Sequence, residues 1–93
     1  VPRVSILLPA RDAGTTLSAA LASLRRQTLS DWECTIVDDG SRDDTGRIAA
    51  AAAARDPRIA VMATPRAGLV AALTAGLVRC RGAYVARMDA DDV

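Results

Sequence analysis

Apolar and polar positions alternate in short blocks along this chain, and the blocks predict its elements. Residues 4–8 form a short apolar run ended by Pro9, which reads as a buried parallel strand. Residues 14–28 read as a helix: Thr15 or Thr16 can cap it, and Leu17, Ala20, Leu21 and Leu24 recur at helical spacing. Residues 32–37 read as a second strand, stopped by Asp38, Asp39 and Gly40. Asp44 or Thr45 can cap an alanine-rich second helix that runs to about Arg55 and ends at Asp56-Pro57. Residues 59–63 are a third strand and residues 64–68 a loop. Leu69, Leu73 and Leu77 then repeat every four residues along a third helix, which Arg81-Gly82 ends. Residues 83–88 are a fourth strand leading into Asp89-Ala90-Asp91-Asp92. Strict β-α alternation of this kind predicts an α/β fold: a Rossmann-like parallel sheet with helices on both faces.

Composition narrows the picture. The chain has 93 residues, enough for one small domain, and 51% of them are apolar. Trp32 and Tyr84 are the only aromatics, so the core must be aliphatic. The net charge is +1, with no basic run and no interleaving of basic and aromatic residues, which argues against nucleic acid as a partner. Cys34 and Cys80 lack metal-ligand spacing and read as small buried hydrophobes in a reducing compartment. No stretch reaches the roughly 18 apolar residues of a membrane span, and no signal peptide is visible. The first and last residues, Val1 and Val93, read as fragment boundaries.

The acids carry the chemistry. Asp12 follows strand one, Asp38 and Asp39 follow strand two, and Asp89, Asp91 and Asp92 follow strand four. In a parallel sheet all of these lie at the carboxyl edge, where ligands bind. Carboxylates crowded on one edge repel unless something positive binds there. Asp89 and Asp91, one residue apart, can both reach a hard cation from a tight turn, and Mg2+ or Mn2+ shares such oxygens with phosphates. In Asp38-Asp39-Gly40-Ser41 a carboxylate can accept from a base N–H or a ribose hydroxyl, although the same residues are standard turn formers. Pro9-Ala10-Arg11-Asp12 offers a guanidinium to a base or a phosphate. Arg66 with Gly68 can meet phosphates at the start of helix three.

Taken in order, P-A-R-D at 9–12, Q-T-L-S-D-W-E at 27–33, V-D-D-G-S at 37–41 and A-R-M-D-A-D-D at 86–92 resemble family-2 glycosyltransferases of the GT-A fold. The similarity runs over nearly the whole chain. It implies an N-terminal, nucleotide-sugar-binding half-domain, residues 1–93, ending at the D-x-D motif. It implies that Pro9, Ala10 and Arg11 line the nucleotide pocket and that Asp39 bonds the base with Asp38 beside it. It further implies that Asp91 is the main ligand of Mn2+ or Mg2+, while Asp89 faces the ribose or a metal-bound water.

The implied reaction is transfer of a sugar, with inversion, from a nucleoside diphosphate sugar to a saccharide, lipid or protein acceptor, with a UDP-sugar as the expected donor. Bacterial polysaccharide or glycolipid synthesis in the cytoplasm, with membrane association of the full-length protein, would be the setting. The catalytic base is expected after Val93, so the fragment is expected to be inactive alone and to self-associate. The alternative is a nucleotide-binding module without catalysis. The family often carries tyrosine-asparagine where this chain has Arg11-Asp12, and asparagine where it has Thr74.

Rival α/β readings lack their signatures. A dinucleotide-binding oxidoreductase needs G-x-G-x-x-G after strand one. A receiver domain relies on a lysine, and the chain has none. A phosphatase of the haloacid-dehalogenase type would open with D-x-D-x-V, whereas residues 89–93 close this chain.

Overall fold

The computed structural model describes residues 2–26 and 31–90. The elements follow as β1 (Val4–Ala10), α1 (Leu17–Arg25), β2 (Trp32–Asp39), α2 (Thr45–Arg55), β3 (Ile59–Thr64), α3 (Leu69–Leu77) and β4 (Tyr84–Arg87). The strands form one sheet in the order β3-β2-β1-β4, and every pairing is parallel. The chain therefore steps from β1 outward through β2 to β3, then crosses back so that β4 lies on the other side of β1. That reversal puts a topological switch point between β1 and β4, where an open α/β sheet has its ligand crevice.

The pleat sorts the strand side chains onto two faces. Ile6, Leu8, Cys34 and Ile36 pack on one face against Leu17, Leu21 and Leu24 of α1 and Ala49 and Ala52 of α2. Leu7 and Val37 pack on the other against Ala72 and Leu73 of α3. Helices thus cover both faces, as the alternation predicted. Burial pushes the Cys34 thiol up to about 12, which leaves it an inert core residue. Cys80 packs at the margin of the α3 side, its thiol also raised by burial.

Several boundaries differ from the sequence expectation. Pro9 does not end β1, because Pro9 and Ala10 still pair with Val37 and Asp38. The N–H groups of Tyr84 and Met88 donate to the C=O groups of Arg3 and Leu7, so odd-numbered residues of β1 turn their backbone polar groups toward β4. Pro9 belongs to that set, and pairing with β4 ends at Leu7, so its missing N–H costs no ladder bond. Asp38 and Asp39 do not stop β2; they pair with Ala63 and Thr64 of β3.

Helix α1 begins at Leu17 rather than Gly14: residues 14–16 form a turn in which the Thr16 and Leu17 N–H groups both return to the Ala13 C=O. Its expected residues 27 and 28 lie outside the described ones. Thr16 makes no side-chain cap bond, and neither does Asp44. Asp43 takes that role at α2, accepting the Thr45 N–H at 3.0 Å.

Of the three leucines of α3 only Leu73 packs against the core, and it is partly buried. Leu69 and Leu77 are about half exposed, while Ala72 and Gly76, four residues apart, are the buried pair. A Cβ on Gly76 would collide with Leu7 and Val37. Small residues let the helix axis approach the sheet, and the bulkier leucines are left to flank the contact. Strand β4 is an edge strand exposed at every position, so Tyr84 and Val85 join Leu69, Val70, Leu77 and Val78 as exposed large apolar residues.

Candidate functional site

Three loops and the end of β4 meet at the carboxyl edge of the sheet. Asp39 organises one side of this meeting. Its side chain is only 3% exposed. One carboxylate oxygen accepts the Thr64 hydroxyl and the Ala67 N–H, each at 2.9 Å. The other accepts the Gly68 N–H at 2.9 Å. The acid therefore satisfies two backbone donors at the start of α3, where the helix dipole favours negative charge. The Ala67 N–H bond, aided by Thr64, Gly68 and the charge of Arg11, outweighs burial and holds the Asp39 carboxyl below its ordinary value. Gly68 has φ of 102° and Gly40 has φ of 66°, so both positions favour glycine; at Gly40 a Cβ would also press on Arg66 at 2.8 Å.

Asp38 points the other way, as the next residue along a pleated strand must. Its Oδ1 accepts the Ser41 N–H at 3.1 Å, and its Oδ2 lies where a Cβ on Gly46 would approach to 2.8 Å. It closes the β2–α2 turn and does not line the cleft described next.

A cleft of about 540 Å3 opens beside the ends of β1 and β4. Pro9, Ala10, Arg11, Asp39 and Asp89 all line it, and Asp12, Ala13, Thr15, Thr16, Leu69 and Ala90 complete it. Residues that the sequence places far apart thus share one wall. Arg66 and Gly68 stand behind this wall. Arg66 donates Nη1 to the Gly40 C=O and Nη2 to Asp12 Oδ2, each at 3.0 Å, and the Gly68 N–H is held by Asp39. Both groups already have partners within the chain.

A larger hollow of about 800 Å3 lies at the opposite edge, lined by Asp31, Trp32, Glu33, Pro57 and Arg58 among others. These residues sit at the amino ends of β2 and β3, where open α/β sheets do not gather ligands.

Asp89 sits half exposed at the mouth of the cleft, and Arg87 holds its Oδ1 through Nε at 3.0 Å and Nη2 at 2.9 Å. Its Oδ2 makes no hydrogen bond among the described residues, and Asp91 lies outside them. No group of three acids, cysteines or histidines that could hold a metal is gathered among the described residues. What the described residues supply is one carboxylate on the cleft wall, Asp89, which pairs with Arg87.

Sequence reasoning missed the shelf behind the first loop. The N–H groups of Asp12, Ala13 and Gly14 donate in succession to Ser41 Oγ at 3.0 Å, Thr45 Oγ1 at 2.8 Å and Asp43 Oδ2 at 2.9 Å. The readable signal was Ser-x-Asp-x-Thr at 41–45, polar acceptors at every second position. It also missed Ala13, Thr15, Thr16, Leu69 and Ala90 on the cleft wall, which carry no signal of their own.

A parallel sheet with a cleft at the β1/β4 switch point is the architecture of a doubly wound α/β domain, and solved glycosyltransferases of the GT-A fold share it. The chain superposes on a mannosyltransferase from Pyrobaculum calidifontis, solved with GDP-Man and Mn2+, with a TM-score of 0.89 over 97% of its length at 25% identity, covering 28% of that chain. It also shares the fold of S. aureus TarS, residues 1–349, with a TM-score of 0.85 over 96% of its length at 24% identity, covering 27% of that chain. Residues 5–93 match the family model described as glycosyl transferase family 2, and the chain belongs to that family. It is 40% identical over 92 residues to the uncharacterized glycosyltransferase EpsJ of Bacillus subtilis, covering 99% of this chain and 27% of the relative. It is 37% identical over 92 residues to a chondroitin synthase of Escherichia coli, covering 99% of this chain and 13% of the relative. The chain thus spans about a quarter or less of the relatives it matches.

Proposed function

We propose that these residues form the donor-binding half of a glycosyltransferase that transfers a sugar, with inversion, from a nucleoside diphosphate sugar to an acceptor. One observation carries the reading: Pro9, Ala10, Arg11, Asp39 and Asp89 line a single cleft at the switch point of the sheet. In this reading Pro9 and Ala10 form a flat wall for the nucleotide, and Arg11 meets its base or a phosphate. Asp39 fixes the loop against which the base rests and offers its charge to a base N–H. Asp38 supports that loop from behind through the β2–α2 turn, and Arg66 and Gly68 do so from the β3–α3 side.

Asp89, with Asp91, would hold Mn2+ or Mg2+. A cation there supplies electrostatic stabilisation to the diphosphate leaving group. Association of a solved relative with GDP-Man and Mn2+ supports this donor class, and the similarity to a chondroitin synthase supports a saccharide acceptor and polysaccharide synthesis. UDP-sugars are the donors to try first, then GDP-sugars; lipid and protein acceptors are the further classes to assay. No helix among the described residues is long and apolar enough to cross a membrane.

Calorimetric titration of UDP and GDP, with and without Mn2+, tests the reading. Binding is expected to need Mn2+ and to weaken at least roughly tenfold in Asp89→Ala and in Asp91→Ala, the scale on which a lost metal ligand or its supporting group acts. Metal-independent binding that Asp91→Ala leaves unchanged would favour a plain nucleotide-binding module instead.

A further inference from the structure

The turn between β1 and α1 is held in an uncommon conformation by an unusual number of partners. Asp12 has φ of 51°, in the left-handed region that side chains disfavour. Its own N–H and the next two are anchored on Ser41, Thr45 and Asp43. Its carboxylate closes the circle: Oδ1 accepts the Arg42 N–H at 2.7 Å and Oδ2 accepts Arg66 Nη2 at 3.0 Å. Arg66 reaches Asp12 from the β3–α3 loop, 54 positions along the chain, and its Nη1 ties the same guanidinium to the Gly40 C=O. One acid thereby joins the loops that follow β1, β2 and β3.

The residue just before this knot is Arg11. It is exposed, it is the only basic side chain on the wall of the cleft, and it makes no ion pair among the described residues. A flexible arginine on a free loop would lose much of its binding energy to ordering on each encounter. An arginine on a pinned turn loses less.

We propose that Asp12 and Arg66 form a clasp that positions Arg11 for the anionic part of a nucleotide ligand. The clasp keeps the turn in its left-handed conformation, and it also removes Arg66 as a second free cation, so that Arg11 alone presents positive charge to the cleft. Both partners are about one-third exposed, so the pair adds little to global stability; its effect is on loop order. The inference rests on the donor-cleft reading above.

The test is a double-mutant cycle on the whole chain with Arg66→Met, Arg11→Met and the double variant, titrated with UDP and GDP in Mn2+. Each single change is expected to weaken nucleotide binding by roughly fivefold, the scale of one partly exposed charged contact. The double variant is expected to be no weaker than Arg11→Met, because the clasp acts through Arg11. Asp12→Asn keeps an oxygen for the Arg42 N–H and is expected to recover part of the affinity that Asp12→Ala loses. Independent, fully additive losses would overturn the proposal.

A readout without nucleotide separates this proposal from the reading beneath it. Arg66→Met is expected to raise amide exchange at Arg42 and to lower the backbone order parameter at Arg11. If the parent chain binds no nucleotide, the donor-cleft reading fails, while loosening at both amides would still support the clasp. Unchanged exchange and order in Arg66→Met would overturn it.

Discussion

Asp39, the last residue of β2, accepts the N–H of Gly68, the residue that opens α3, at 2.9 Å across 29 positions of sequence. The same carboxylate takes the Ala67 N–H and the Thr64 hydroxyl, so a single buried acid fixes how the β3–α3 loop meets the cleft. Its neighbour Asp38 serves a different turn on the opposite face of the sheet.

This division predicts unequal consequences for two adjacent acids. Asp39→Ala leaves two backbone donors without their acceptor beside a helix start, and it should abolish measurable nucleotide binding and lower the melting temperature. Asp38→Ala should lower the melting temperature and weaken binding far less. Calorimetry and thermal unfolding of the two variants check this; equal loss of nucleotide binding in both would contradict it.

Gly76 is the second sensitive point. A side chain there must displace Leu7 and Val37 from the α3 contact. Gly76→Ala should destabilise the fold by about 1–3 kcal/mol, the range for overpacking a tight contact. Leu77→Ala, at a half-exposed position on the same helix, should cost much less. Urea denaturation followed by Trp32 fluorescence measures both, because Trp32 is buried and would report its exposure.

Acid should unfold the chain through its loop carboxylates. Hydrogen bonds from the Arg42 N–H to Asp12, from the Ala67 N–H to Asp39 and from the Thr45 hydroxyl to Asp43 are the leading causes that hold these groups below their ordinary value of 3.8. Glu33 lies below its ordinary 4.5 as well; burial opposes this, and the bonds from Ser5 and Arg81 outweigh it. Groups depressed in the folded state bind more protons when unfolded. Their contribution is fully present above the unfolded values and is lost as pH falls through the folded ones. The melting temperature should therefore be level above about pH 5 and fall steeply below about pH 4. Asp43→Asn should flatten that fall.

The set of exposed large apolar residues on α3 and β4 predicts association of the 93-residue chain. Val70, Val78 and Tyr84 are the most exposed of its six large apolar residues, and β4 leaves one edge of the sheet open. Such patches drive self-association, and unpaired strand edges add to it. Light scattering over a concentration series should show a rising mean mass, and Val78→Lys with Tyr84→Lys should suppress the rise. A constant monomer mass in the parent would count against it.

Much of this molecule was legible before any coordinates. The element order, the parallel sheet and the acids at its carboxyl edge follow from local signals: apolar runs, helical spacing, and Gly, Pro and Asp as punctuation. Those signals depend on near neighbours in sequence, which is why the sequence carries them. What it left open was decided by contacts between distant residues. The register with β3 made Asp38 and Asp39 part of β2, and the pleat then turned one toward the α2 start and the other toward the cleft. The fit of Gly76 against Leu7 and Val37, and not the leucine repeat, chose the buried face of α3. The pairing of Asp12 with Arg66 has no local trace at all, because opposite charges 54 residues apart meet only after the sheet has brought their loops together.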